Sequence, residues 1–317
     1  MATFLTPVNV TPGTAGAWTD VDVSAHVPSG AAGVILLIYN VDTVSAYNVG
    51  LRKNGSTDNR VRDIRWNYHA SAVIGVDASR VFEANVENTT NLELWLVGYF
   101  TNDEAVFFDN GADKSTPTTN SYVDVDISTD SGGDTALAAV VEVSASASTY
   151  GWYLRKNGST DNRYGTSHRN MQSWNIVGVD ASEIFEQKIE NANVDIFLVG
   201  YLTDSIVYHT NGTDRSTGTT GAYEDVDALP SGAVGGVYEF HVVSGSVRSG
   251  ALRKNGSSDD FYRKVAEDGA TGHFYVECDG SRIVEQKIET TDVDLFEIGY
   301  FEASPTSAGE TVVGAGG

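Results

Sequence analysis

The sequence predicts an all-β protein: three tandem β-sandwich domains, jelly-roll or Ig-like, with a flexible C-terminal tail. Three observations carry that reading. A ten-residue stretch occurs three times. Leu51 to Arg60 reads LRKNGSTDNR, Leu154 to Arg163 repeats it identically, and Leu252 to Phe261 reads LRKNGSSDDF, a seven-in-ten match. The copies start 103 and 98 residues apart. That spacing is the size of one sandwich and exceeds the roughly 20–50 residue period of solenoids and propeller blades. The intervals hold short alternating strands separated by turn residues, and no helical periodicity. The domains are therefore placed at residues 1–101, 102–203 and 204–302, with the tail at 303–317.

Each repeat opens on a strand with one wet face. Trp18-Thr19-Asp20-Val21-Asp22 has counterparts from Tyr122 to Asp126 and from Tyr223 to Asp227. Apolar strands follow at Gly33 to Tyr39, Ala138 to Val143 and Gly236 to Val243. The first is apolar on both faces, which fits a strand covered on both sides or one whose second face meets another domain. The repeated decapeptide comes next. Its Asn-Gly pair predicts a β-hairpin with a type I′ turn, because both central residues of that turn need positive φ.

Beyond the hairpin the copies diverge, then converge again on Val76-Asp77-Ala78-Ser79, Val179-Asp180-Ala181-Ser182 and Cys278-Asp279-Gly280-Ser281. In the strand that follows, Phe82, Phe185 and Val284 are predicted to point inward, with Val86, Ile189 and Ile288 four residues on; Glu83, Glu186 and Glu285 point out. Each repeat closes on a long apolar strand, Leu92 to Phe100, Val194 to Leu202 and Val293 to Phe301. The glycine inside each marks a bulge or a close contact.

The chain carries 20 Lys plus Arg against 43 Asp plus Glu, a net charge of −23. The excess is uneven: 6 bases against 9 acids in the first repeat, 6 against 15 in the second and 8 against 18 in the third. Such a surface repels nucleic-acid phosphates and anionic lipid, so neither is an expected partner. No apolar run is long enough to span a bilayer, and the N-terminus has no secretory signal pattern. The single cysteine, Cys278, excludes an intrachain disulfide and reads as a small buried strand residue.

Catalytic motifs are not evident. There is no G-x-S-x-G elbow, no H-E-x-x-H and no Cys pair for zinc, and none of the six His recurs in all three repeats. The expectation is a non-enzymatic protein without a cofactor. Calcium is the one ion left open. Asp109-Asn110-Gly111-Ala112-Asp113 gathers oxygen side chains around a glycine, but it lacks the spacing and closing Glu of an EF-hand loop, and a plain Asx turn is the preferred reading. The candidate ligand or interface residues are the aromatics and histidines of the divergent segment: Trp66, Tyr68 and His69 in the first repeat, His168 and Trp174 in the second. Such rings stack on sugars or anchor protein interfaces; the competing reading buries them in the core or between domains. Arg52, Arg155 and Arg253 are expected to pair with Asp58, Asp161 and Asp259, or with an adjacent domain.

The succession L-R-K-N-G-S, V-G-V-D-A-S, an alternating strand with E-N, and L-V-G-Y-F resembles β-sandwich modules of virion proteins from tailed bacteriophages and related viruses. The likeness covers nearly the whole chain and rests on strands and turns. The third repeat departs from it at Asp260-Phe261 and at Glu277-Cys278. The resemblance implies a structural or adhesive role in head decoration, a tail fibre or a knob, within an oligomeric assembly of virion or self subunits, and it carries over no catalytic residue. Two arrangements are compatible with the short linkers: a packed pseudo-threefold cluster or an extended stalk. The rival functions are an extracellular filament or cell-surface adhesin subunit, and a protein that binds surface glycans.

Overall fold

The structure, a computed structural model, describes residues 2–146, 148–166, 169–243, 245–266 and 271–303. The expected tail lies outside the described residues from 304 onward. The first repeat supplies β1 (Thr3–Asn9), β2 (Trp18–Asp22), β3 (Ala31–Asn40), β4 (Tyr47–Lys53), β5 (Arg62–Ile64), β6 (Tyr68–Gly75), β7 (Val81–Val86) and β8 (Leu92–Thr101). The second supplies β9 (Ala105–Asp113), β10 (Val123–Asp126), β11 (Ala138–Ala145), β12 (Gly151–Lys156), β13 (Gly165–Thr166), β14 (Gln172–Gly178), β15 (Ile184–Ile189) and β16 (Val194–Leu202). The third supplies β17 (Ile206–Asp214), β18 (Glu224–Asp225), β19 (Ala233–Val242), β20 (Arg248–Lys254), β21 (Arg263–Ala266), β22 (Thr271–Glu277), β23 (Val284–Ile288) and β24 (Val293–Glu302).

The strand order chooses between the two sandwiches the sequence left open. The first repeat forms the sheets β1-β8-β3-β6 and β2-β7-β4-β5, the second β9-β16-β11-β14 and β10-β15-β12-β13, and the third β17-β24-β19-β22 and β18-β23-β20-β21; a parallel pairing of β6 with β21 at Tyr68 and Lys264 joins the first and last of these into one eight-stranded sheet. Eight strands in two four-stranded sheets are a jelly roll; an Ig sandwich splits seven strands four and three. Among the described residues, no helix is long and apolar enough to cross a membrane.

Inside each sandwich the pattern of two holds. In β7, Phe82, Ala84 and Val86 are fully buried, while Val81, Glu83 and Asn85 alternate with them half-buried. Phe185, Val284, Ile189 and Ile288 are likewise fully buried. Asp20 and Asp22 lie on the exposed face of β2. Cys278 is buried as expected, but it follows β22 instead of lying within it, with its Sγ 3.5 Å from the Ala233 carbonyl.

β3 is buried at all ten positions, and the two faces have different neighbours. Val34, Leu36 and Ile38 join the first repeat's own core. Ile35 joins a cluster shared by all three repeats. Equivalent residues meet there in threes: Ile35, Val140 and Val237; Val73, Ile176 and Tyr275; Phe100, Leu202 and Phe301. The outer face of each first sheet thus turns inward onto a common centre, and the repeats pack as a pseudo-threefold cluster, not a stalk. Burying one such Val, Leu, Ile or Phe contributes about 1.5–3 kcal/mol, so a centre of this size holds the repeats in fixed relation.

The Asn-Gly turn differs from expectation. Gly55, Gly158 and Gly256 have φ of 83°, 79° and 77°, but the preceding Asn residues are not in the positive-φ region. Ser56 N donates to Lys53 O at 3.1 Å across the turn, and Ser159 and Ser257 do the same. Positive φ at the third position alone makes these type II turns, not type I′. The turn also opens a longer loop: β4 pairs with β5 through Val49 and Arg62, leaving residues 54–61 between the strands.

Candidate functional site: the seams between repeats

Near the end of that loop, Arg60 reaches across to the next repeat. Arg60 Nε donates to Glu142 Oε1 at 2.6 Å and Nη2 to Glu142 Oε2 at 3.0 Å. Arg163 repeats the contact one repeat on, meeting Glu239 Oε1 at 2.5 Å. Both carboxylates are 1 % exposed. The loops also hold their arginines: Asp58 pairs with Arg60 at 2.8 Å, and Asp161 with Arg163 at 3.0 Å. The guanidiniums lie 4.1 and 4.2 Å from the Phe197 and Phe296 ring centroids, so each is stacked as well as paired.

Burial and partners set the two glutamates apart. Burial raises the pKa of Glu142 despite Arg60 and the Gln172 amide. Burial also opposes ionisation of Glu239, but Arg163 and His273, 3.6 Å away, overcome it and hold its pKa below the ordinary value. Tyr153 adds a hydrogen bond to Glu239 at 3.2 Å.

A second contact closes each of these seams. The Asn110 side-chain oxygen accepts from Ser56 Oγ at 3.0 Å, Thr57 N at 2.8 Å and Thr57 Oγ1 at 3.1 Å. Gly111 N donates back to Asp58 Oδ2 at 2.8 Å. Asn211 and Gly212 make the same four bonds to Ser159, Thr160 and Asp161. The segment weighed for calcium is therefore a plug: its Asn oxygen is spent on three donors, and Asp109 pairs with Lys53 at 2.8 Å. Among the described residues no group of three His, Cys, Asp or Glu is placed to hold a metal ion. Gly75 and Gly178 leave room for the next repeat's first strand; a Cβ would stand 2.5 Å from Phe107 Cβ and 2.4 Å from Tyr208 Cγ.

The third seam, from repeat 3 back to repeat 1, is built differently. Phe261 occupies the arginine position and Leu37 the glutamate position. Phe261 packs edge-on to Tyr39 and Trp95, with centroids 5.6 and 5.5 Å apart. Backbone continuity survives: Lys264 N donates to Asn67 O at 3.0 Å, as Asp63 N donates to Asn170 O at 2.8 Å in the first seam. Asn67 and Asn170 both have positive φ, which Asn tolerates better than most side chains. The Asn-Gly plug is missing, and Glu277, paired with Lys254 at 2.7 Å, stands where Gly75 and Gly178 stand.

The sequence candidates fall into these contacts. Tyr68 is buried and donates to Val265 O of the third repeat at 2.7 Å. His69 is buried against Phe274 of the third repeat, centroids 4.8 Å apart. Trp174, 1 % exposed, belongs to the second repeat yet packs in the first repeat's core cluster. Trp66 is half-buried, with Lys264 Nζ 2.9 Å from its ring centroid. His168 lies outside the described residues. Arg52, Arg155 and Arg253 pair with Glu83, Glu186 and Glu285, at 2.9, 2.8 and 2.7 Å, not with the carboxylates of Asp58, Asp161 and Asp259. They also stack on Trp18, Tyr122 and Tyr223. Sequence reasoning missed Glu142 and Glu239. Their signal was a carboxylate inside an otherwise apolar strand, which calls for a buried cation.

No family model matches the chain, and no curated protein does. Two solved structures show weak similarity. One is the X-ray structure of the entire lipid-containing bacteriophage PM2, at 7% identity over 95% of both chains with a TM-score of 0.17. The other is the N-terminal CBM22-1-CBM22-2 tandem domain of Paenibacillus barcinonensis Xyn10C, at 10% identity over 88% of this chain and 100% of that one, also with a TM-score of 0.17. What the chain itself establishes is an all-β, jelly-roll architecture.

Proposed function

We propose that the chain is a non-enzymatic structural component of a virion, a capsid-decorating or tail-fibre subunit that acts as a rigid three-lobed block. The observation that carries this reading is the shared core, to which all three jelly rolls contribute equivalent residues. One chain thereby does what three identical subunits do around a threefold axis. Covalent linkage fixes the order of the lobes and lets each seam differ, which a homotrimer cannot do. Jelly rolls close their sheets against edge-to-edge association and recur in capsid and lectin domains. The charge of −23 favours a well-solvated exterior. The glycan reading has less support, because Trp174 is buried and one face of Trp66 is covered by Lys264.

The test is mass spectrometry of gradient-purified particles from the source, with electron microscopy of the same fractions. The chain should co-sediment with particles at a fixed copy number. Its recovery only in filaments would establish the extracellular alternative, and recovery only as free monomer would overturn both.

A further inference from the structure

The three seams use the same loop, yet only two are filled. Cavities of about 10 Å³ remain at the first and second. At the third the described residues line a cavity of about 420 Å³, between Phe4, Thr6 and Pro7 on one side and Ser257, Ser258 and Glu277 on the other. The difference traces to β1. In β9, four residues separate the ladder partners Phe107 and Ala112, and β17 keeps that interval from Tyr208 to Thr213. In β1 only three separate Phe4 from Val8, and Thr6-Pro7 replaces the bulged Asn-Gly. Proline has no N–H to give to the loop carboxylate, and threonine is too short to reach as asparagine does.

The loop facing this gap keeps the groups that grip Asn-Gly elsewhere. Ser257 and Ser258 match Ser56 and Thr57, and Asp259 matches Asp58. With no asparagine opposite, Ser257 Oγ turns to Asp259 Oδ2 at 2.7 Å. Ser258 is exposed, and its N–H and Oγ have no hydrogen-bond partner among the described residues. The notch therefore presents two free donors, one carboxylate acceptor and an apolar wall from Phe4 and Leu37.

We propose that this notch is a docking site for an extended segment of a partner protein carrying an Asn-Gly pair. The asparagine side-chain oxygen would accept from Ser258 N and Oγ, and the following glycine N–H would donate to Asp259, as Asn110-Gly111 and Asn211-Gly212 do in the filled seams. An apolar residue two positions before the asparagine, where Phe108 stands in the first seam, enters against Phe4. The proposal names the contact for the assembly reading and rests on it. The peptide test below does not depend on particles, so the two fail separately.

The probe is a peptide with this chain's own sequence from Phe107 to Asp113, FFDNGAD, titrated into the full chain by calorimetry. A peptide with alanine at the asparagine position is the control. One site per chain is expected, with at least tenfold weaker binding of the control. A variant with Pro7→Asn and a glycine inserted after it fills the notch from within and should abolish binding. Ser258→Ala, at an exposed position, should weaken binding at least threefold. Equal affinity for both peptides, or full binding by the filled variant, overturns the proposal.

Discussion

Arg60 reaches out of its own repeat to the buried carboxylate of Glu142, Nε to Oε1 at 2.6 Å. Removing one partner of such a pair strands a charge in a nearly dry seam, which costs about 3–5 kcal/mol. Arg60→Ala should cost that much in chemical denaturation. The third seam shows the apolar solution to the same position, Phe261 against the Leu37 site. The double variant Arg60→Phe, Glu142→Leu should therefore recover most of the loss, since well-packed apolar replacements of buried pairs are often neutral or better. A double variant no more stable than Arg60→Ala would refute the equivalence of the seams.

The seam glycines make a contrasting prediction. At Gly178 a Cβ would stand 2.4 Å from Tyr208 Cγ, at the base of a ring that cannot swing away. Gly178→Ala should cost about 1–3 kcal/mol through overpacking. At the same place in the third seam, Glu277→Gly should change stability by about 1 kcal/mol or less, because its pair with Lys254 is 36 % and 42 % exposed. Thermal unfolding of the two variants decides; equal losses would contradict the open third seam.

Burial depresses the pKa of His69 to about 3, with Arg263 adding to the effect. In the unfolded chain the same group titrates near 6.5. Between those values the unfolded state binds the extra proton, so stability falls as pH drops from about 6.5 towards 3. The slope from this one group reaches about 1.4 kcal/mol per pH unit. His69→Gln should flatten the acid limb of a stability-pH profile by that amount. An unchanged limb would show that His69 charges freely in the folded chain.

The architecture was legible in the sequence because strands, turns and spacing are local signals. The decapeptide marked three repeats, and Phe82 with Val86 four residues on gave the buried face directly. The two apolar faces of β3 even signalled a second neighbour. The seams were less legible because they join residues far apart in the chain, 82 and 76 positions in the first two and 197 from Tyr68 to Val265 in the third. Arg60, Arg163 and Phe261 change in step with Glu142, Glu239 and Leu37, but the pairing shifts by one repeat around the ring. Comparing each loop with its own repeat hides it. The aromatics of the divergent segment drew attention for the right chemistry, yet Tyr68, His69 and Trp174 spend it on neighbouring repeats. The turn was misread because Asn-Gly suits both type I′ and type II, and loop length, not the pair itself, separates them.

The central claim is that the three jelly rolls close into one compact cluster around a shared core. Small-angle X-ray scattering of the monodisperse chain tests it directly. A compact body of 317 residues has a radius of gyration of about 20 Å. Three separate bodies of about 13 Å each, set end to end, would give about 30 Å. A value near 20 Å with a single-peaked distance distribution is the expected result. A value near 30 Å with shoulders at the inter-domain spacing would contradict the account.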